Sequence, residues 1–348
     1  MLILGIESSC DETSIAVVEN GRLVRSCIIS SSKKDFETLG GVIPEEAARR
    51  QQEVILPVLE KALSEAQTTM KEIEAIAVTS GPGLLGSLLV GTMTAKALGL
   101  AFEKPIIPVH HTMGHLSSTW LTATASTPEP AFPLLTLSVS GGHTDLWLRT
   151  SHTKGELIGR TKDDAAGEAF DKGAVQLGLP YPGGPALSKI AESGNPERFE
   201  FPRPLHGDAS IAFSFSGLKT SLKYLLKELG AKAEDSGARS DIAASYEHAI
   251  CRHLLDKLSQ ALSKHDEVRE VHIVGGVSAN TRLRDLATKL AEKHGVTLRV
   301  PETLRYCTDN GAMIASAGEF LVREQPHMLG AHLETRATIP LEQVLSRN

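Results

Sequence analysis

Aromatic residues are scarce in this chain: 2 Trp, 4 Tyr and 9 Phe, 4% of 348 residues. Broad stacking platforms for single-stranded nucleic acid are therefore not expected. There are 4 cysteines, Cys10, Cys27, Cys251 and Cys307, far apart and without a C-x-x-C pair. Free thiols in a reducing compartment are the expectation. Positive charge is also short, with 36 Lys+Arg against 42 Asp+Glu and a net charge of -6. A chain that gripped nucleic acid unaided would be basic, so such a substrate calls for a local patch or a partner. No long, strongly apolar run occurs. The longest uncharged stretch, Val78 to Ala95, is rich in Gly, Ser and Thr and stops at Lys96, too polar for a membrane helix. The opening "MLILGIESSC" has no positive n-region. A cytosolic protein with no membrane association is expected. Low-complexity sequence is nearly confined to "TATASTPEPAFP", about Thr122 to Pro133, the best linker candidate.

What is present is ordinary globular composition, 41% hydrophobic and 22% charged, in a length that suits two lobes. Leu2 to Glu7 reads as a buried strand, "SSCDETS" as a polar turn, and Ile15 to Val18 as a second strand. Asn20-Gly21 then signals a two-residue hairpin into "RLVRSCIIS". The pattern returns as "LLTLSVS", "GGHTD" and Leu146 to Leu148, so that Ser9 falls on Ser140, Asp11 on Gly142 and Thr13 on Thr144. Helical sequence follows each copy. A third glycine turn, "EVHIVGGVSAN", ends a strand at a helix start. Duplicated α/β halves, each with a glycine- or hydroxyl-rich turn, are the layout of the actin/hexokinase/Hsp70 (ASKHA) nucleotide-binding fold. The expected lobes are residues 1–133, with 309–348 packing back on them, and 134–308.

The stretch "VHHTMGHLS" places His111 and His115 four apart, one helical turn, as a metal pair would be. An H-E-x-x-H protease needs Glu directly after the first histidine, and Thr112 stands there. A third ligand could come from Asp309 in "RYCTDNGAMIASAG", although Asp at that place also fits a helix N-cap. Two His and a carboxylate suit iron(II) or zinc. Ser140, Gly141, Gly142, His143 and Thr144 should bind an anion through bare backbone and two hydroxyls, and Gly275 to Asn280 would suit a nucleoside end. Neither turn carries the lysine of a P-loop. Glu7, Asp11 and Glu12 crowd one turn, as solvated acids or as groups that orient a counter-ion or a nucleophile. Asp171 in "AGEAFDKGA" could bond a ribose hydroxyl or pair with a nearby cation; Gly183 and Gly184 in "YPGGPA" make a turn into a helix.

In order along the chain, "GIESSCDETSIAVV", "GPGLLGSLLVG", "HHTMGH", "VSGGHT", "GEAFDKGA", "YPGGP", "FSFSGLKT", "GGVSAN" and "CTDNGAMIA" resemble the bacterial TsaD family, formerly Gcp. The resemblance implies transfer of a threonylcarbamoyl group from threonylcarbamoyl-AMP to N6 of the adenosine beside the anticodon, in tRNAs reading codons that start with A. It implies one divalent metal per subunit, iron(II) by family habit with zinc as the other match, on His111, His115 and Asp309. Substrate positions fall on Ser138, Val139, Ser140, Gly141, Gly142, Asp171, Gly184 and Asn280, and Asp11 and Glu12 are the catalytic candidates. Implied partners are the paralogue TsaB, the ATPase TsaE and tRNA. Two positions depart from relatives: Ser138, where archaeal and eukaryotic members carry Tyr, and Gln51, where relatives often have His. The alternatives are a metalloprotease, the family's old label, and a non-catalytic nucleotide-binding scaffold. For tRNA contact the basic candidates are Arg49, Arg50, Lys33 and Lys34, and the apolar helix "LLGSLLVGTMTAKAL" is core or a TsaB surface.

Overall fold

The computed structural model describes residues 1–31, 43–124 and 128–345. The chain divides into two compact units, residues 1–130, 149–156 and 301–348, and residues 131–148 and 157–300. Residues 149–156 and 301–308 thus belong to the first unit, whereas the sequence reading put them in the second lobe. Lys33 and Lys34 lie outside the described residues.

The first unit opens with β1 (Leu2–Glu7), β2 (Glu12–Glu19) and β3 (Leu23–Ser31). The Asn20-Gly21 turn has positive φ at both residues, 54° and 69°, as a type I′ hairpin requires. Then come α1 (Pro44–Glu65), β4 (Ala75–Gly81), α2 (Leu85–Phe102), β5 (Ile106–His110) and the short α3 (His111–Ser117). The sheet order is β3-β2-β1-β4-β5. The hairpin strands pair antiparallel and β1, β4 and β5 parallel, which is why the central strands read as near-continuous apolar runs. Pro44 at the first helical position of α1, with Glu45 and Glu46 in its first turn, suits a helix N-terminus. By length and composition α2 could cross a membrane; Leu85, Leu89, Met93 and Leu100 remain exposed on it.

The second unit holds β6 (Leu134–Val139), β7 (Thr144–Arg149), β8 (Gly155–Arg160), α4 (Ala166–Gln176), α5 (Gly183–Ala191), α6 (Ser216–Leu229), α7 (Ser236–Leu262), β9 (Glu270–Val274), α8 (Thr281–His294) and β10 (Thr297–Arg299). Its sheet order, β8-β7-β6-β9-β10, repeats that of the first unit strand for strand. The core here gathers Leu135, Leu137, Phe213, Phe215, Leu254 and Ile273. The chain returns to the first unit with α9 (Gly311–Glu324), in which every residue from Gly311 to Leu321 is buried. α9 approaches β1 backbone to backbone. A Cβ on Gly5 would lie 2.0 Å from Gly311 O, and one on Gly311 2.6 Å from Gly5 O, so both positions need glycine.

Candidate metal and substrate sites

The β1–α9 contact sets where Asp309 stands. Gly311 N donates to Ser14 Oγ at 2.9 Å, fixing the start of α9 against β2. Asn310, fully buried, caps the helix by accepting from Met313 N at 2.9 Å. The capping role considered for Asp309 therefore belongs to Asn310, and the Asp309 carboxylate is released for other use. α3 meets α9 at Gly114, where a Cβ would lie 2.7 Å from Ile314 Cδ1. Arg149, fully buried, donates from Nη1 to Leu116 O at 2.8 Å and so braces the C-terminal end of α3.

These contacts bring one ligand atom each from His111, His115 and Asp309 within 4.8 Å of one another. Asp309 Oδ1 is 3.2 Å from His115 Nε2 and 3.6 Å from His111 Nε2. The rings stand edge to face, centroids 4.8 Å apart. His110, adjacent in sequence, is spent on structure: its Nδ1 accepts from Thr112 N and its Nε2 faces Ile339 O at 2.9 Å.

Behind His111 lies an acid that the sequence grouped with Asp11 and Glu12 but did not pair with the histidines. Glu7, fully buried at the end of β1, has Oε2 3.1 Å from His111 Nδ1. It also accepts from Thr79 Oγ1 and Ser9 N, each at 2.6 Å. A carboxylate on Nδ1 fixes the ring and directs Nε2 to the trio, the usual support of a metal-binding histidine. Burial works against ionisation of Glu7, but the charge and hydrogen bond of His111 win and hold its carboxyl low. Burial pulls His111 down, yet the charges of Asp309 and Glu7 raise it to about 9. The neighbouring Cys10 thiol is pushed up by burial and by Asp11 and Asp309, so it stays protonated. The donor set fits a borderline divalent metal: two imidazoles and one carboxylate.

Asp11 and Glu12, the catalytic candidates, are both buried, at 5% and 4% exposure. Asp11 lines a cavity of about 160 Å³ with Thr13, Ser30, Arg50 and Gln51, whose lining includes none of the trio. Glu12 contributes to the field on His111. Gln51, read from sequence as a possible loss, has a structural role. Its Nε2 donates to Cys10 O at 2.9 Å and Glu12 O at 3.0 Å, clasping the turn that carries both acids.

In the second unit the expected substrate residues separate into groups. Ser138 and Val139 are buried within β6, so the accessible part of that segment begins at Ser140. Gly141 and Gly142 are exposed, with nothing within 4 Å of a Cβ on either. Ser140 Oγ accepts from His143 N at 3.2 Å. The Thr144 hydroxyl, expected to face an anion, is instead fully buried and accepts from Ala166 N at 2.9 Å, holding the start of α4. Asp171 and Gly184 do meet, Gly184 N donating to Asp171 Oδ1 at 3.0 Å. Asn280 caps α8 through Leu283 N, and its Nδ2 donates to Ser188 Oγ at 3.0 Å and Glu247 Oε1 at 2.6 Å. Ser188 lies one turn beyond Gly184 on α5, so these three residues share one helix as their meeting place. The quoted "FSFSGLKT" motif has an anchor the sequence did not reveal. Asp163 accepts from Ser214 Oγ, Phe215 N and Ser216 Oγ, and is held below the usual carboxylate range by those bonds against the cost of burial.

Two sheets of one strand order, each in an α/β unit, define a protein with the actin/hexokinase/Hsp70 fold. T.kodakarensis HypF shares the fold, with a TM-score of 0.58 at 15% identity over 95% of this chain and 49% of that one. The particular family is closer. Residues 24–316 match the TsaD model, tRNA N6-adenosine threonylcarbamoyltransferase. Proteins of that name from Symbiobacterium thermophilum and Geotalea uraniireducens are 48% and 44% identical to it. The first match covers 92% of both chains, the second 100% of this chain and 98% of the relative. The chain belongs to the TsaD family, and its reaction is that of the family, threonylcarbamoyl transfer to N6 of adenosine in tRNA. The metalloprotease and the non-catalytic scaffold are not favoured. Thr112, where a protease would need its base, is buried with its N–H turned to His110.

Proposed function

We propose that the chain takes the threonylcarbamoyl group from threonylcarbamoyl-AMP and delivers it to the adenosine beside the anticodon in tRNAs reading codons that start with A. One metal ion, iron(II) in preference to zinc, would be held by His111, His115 and Asp309. The observation that carries this is the convergence of those three ligand atoms within 4.8 Å, with Glu7 fixing His111 from behind. When bound, such an ion supplies a Lewis acid for a carbonyl or phosphoryl oxygen.

The remaining work belongs to the chain. In the transfer, a bond forms from N6 to the carbamoyl carbon, the bond from that carbon to the phosphate oxygen breaks, AMP leaves and N6 gives up a proton. Asp11 or Glu12 is the acceptor for that proton. Ser138 to Gly142, Asp171, Gly184 and Asn280 hold the adenylate, with the bare Gly141-Gly142 backbone admitting a phosphate closely. The absence of a P-loop lysine suits a donor already activated as an adenylate. Thr112 in place of a hydrolytic base spares the donor from water. The exposed apolar face of α2, with Leu85, Leu89 and Met93, suits TsaB, and TsaE completes the set in the cytosol.

The test is reconstitution of the full chain with TsaB, TsaE, tRNA and threonylcarbamoyl-AMP, with modified adenosine measured by mass spectrometry and bound metal by elemental analysis. His115→Ala should lose the metal and nearly all product. Wild type that forms no product, or a variant that stays active without metal, would refute the proposal.

A further inference from the structure

Of the basic candidates for tRNA contact named from sequence, Lys33 and Lys34 lie outside the described residues, and Arg49 pairs with Glu45 at 2.8 Å and Arg50 with Glu46 at 3.1 Å on their own helix. Helix α6 offers a different surface. It carries Lys219, Lys223 and Lys227 at four-residue spacing, with Glu228 its one acid. At 100° per residue these lysines and Tyr224 fall within an arc of about 140°, opposite the buried Leu218 and Leu222. Lys219 is bonded to Asp164 Oδ2 at 2.6 Å. Lys223 and Lys227 are exposed and make no ion pair or hydrogen bond among the described residues. Tyr224, at 67%, is the most exposed aromatic among the described residues of a chain that is only 4% aromatic.

The stripe has a defined root. Asp164 also accepts from Lys172 Nζ at 3.2 Å, and Lys172 adjoins Asp171, the partner of Gly184. From there the lysines run about 12 Å along α6, enough to face several successive phosphates of one strand. The other exposed lysine pair on a helix of this unit, Lys289 and Lys293 of α8, is interleaved with Asp285 and Glu292 and has no aromatic beside it.

We propose that this face of α6 binds the backbone of the tRNA substrate, Lys223 and Lys227 on phosphates and Tyr224 stacked on an unpaired base. The proposal rests on the family reading that tRNA is the substrate. Ammonium groups without acidic partners match a polyanion, and an exposed ring among them matches a nucleic acid better than an acidic protein surface. A local patch of this kind is what a chain of net charge -6 needs to hold RNA.

The experiment uses the full chain assembled with its partner proteins, and a fluorescent tRNA transcript titrated by anisotropy across a salt series. Lys223→Ala/Lys227→Ala should weaken binding about tenfold at 100 mM salt and flatten the slope of log K against log salt by about 1.4–1.8. Tyr224→Ala should weaken binding at least about fivefold with the slope unchanged. Lys223→Arg/Lys227→Arg and the control Lys289→Ala/Lys293→Ala should both match wild type. In turnover the double alanine variant should raise KM for tRNA and leave kcat in place, the mark of uniform binding. Wild-type affinity and slope in the double variant would overturn the proposal, as would an equal loss in the control pair. Loss of partner assembly with tRNA affinity intact would assign the face to a protein and overturn it too. A wild-type assembly that modifies no tRNA overturns the family reading together with this one; an active wild type with an unaffected variant overturns this one alone.

Discussion

Replacing Glu7 by Gln keeps the shape of a fully buried side chain and removes its charge. Two effects on metal affinity then oppose each other. The amide cannot hold the His111 Nδ1 proton as the carboxylate does, and outer partners of this kind typically contribute 10–100-fold, ~1.4–2.7 kcal/mol. Against this, His111 with its pKa raised to about 9 must lose a proton before its Nε2 can coordinate. At pH 7 that costs about 2.7 kcal/mol, two units at about 1.36 each. Glu7→Gln removes one of the three carboxylates responsible, the one that also hydrogen-bonds the ring, so much of that cost disappears. Near pH 7 the effects should almost cancel, leaving zinc affinity within about threefold of wild type. At pH 9 the wild-type proton is half gone, orientation alone remains, and the variant should bind about 10–100-fold more weakly. Competition against a chelator of known affinity at both pH values measures the ratio. A ratio that stays flat across that range, while His111→Ala abolishes zinc binding, would refute the reasoning. In the metal-free protein the sign is fixed as well. A raised histidine pKa contributes stability in full below about 6.5 and loses it as pH rises through about 9.

Gly114→Ala puts a methyl 2.7 Å from Ile314 Cδ1 and 2.9 Å from Met313 Cγ. It should cost about 1–3 kcal/mol in a thermal or urea melt. By pressing α3 away from α9 it should also weaken zinc binding, with Ile314→Val restoring part of both; unchanged affinity would detach the helix contact from the site. His253, whose Nε2 accepts from Ser214 N at 3.1 Å, is held at about 4 by burial and by the charge of Lys257. Such a group stabilises the fold above about 6.5, and the contribution, about 3 kcal/mol, is lost as pH falls toward 4. Urea midpoints of wild type and His253→Gln should diverge over that window, and parallel curves would contradict the assignment.

The architecture was legible because both halves write the same local signals: an apolar run, a polar turn, a second run, then helical spacing. Hairpin chemistry at Asn20-Gly21 and the four-residue interval from His111 to His115 depend only on neighbours in sequence, so they could be read directly. Glu7 could not. An acid at the end of a buried strand resembles any strand-end acid, and its role appears only when the end of β1 meets the start of α3. Thr144 misled for the same reason, since its hydroxyl is taken by a backbone N–H 22 positions onward. Gln51 was judged against relatives, whereas its use is decided by the carbonyls it clasps in this fold. The lysines of α6 carry no signal in the sequence, because only the fold separates Lys219, which pairs with Asp164, from Lys223 and Lys227.

The glycine contact between β1 and α9 has a consequence for synthesis. The sheet of the first unit is complete in sequence by residue 130, yet the helix that lies on β1 ends at Glu324. At 5–20 residues per second, roughly 10–40 s separate the two on a translating ribosome. Through that interval the apolar surface destined for α9 has no cover, and the carboxylate that faces the histidines has not yet been made. Nascent chains stalled before residue 311 should therefore depend on chaperones, and ion capture should be among the last events of maturation.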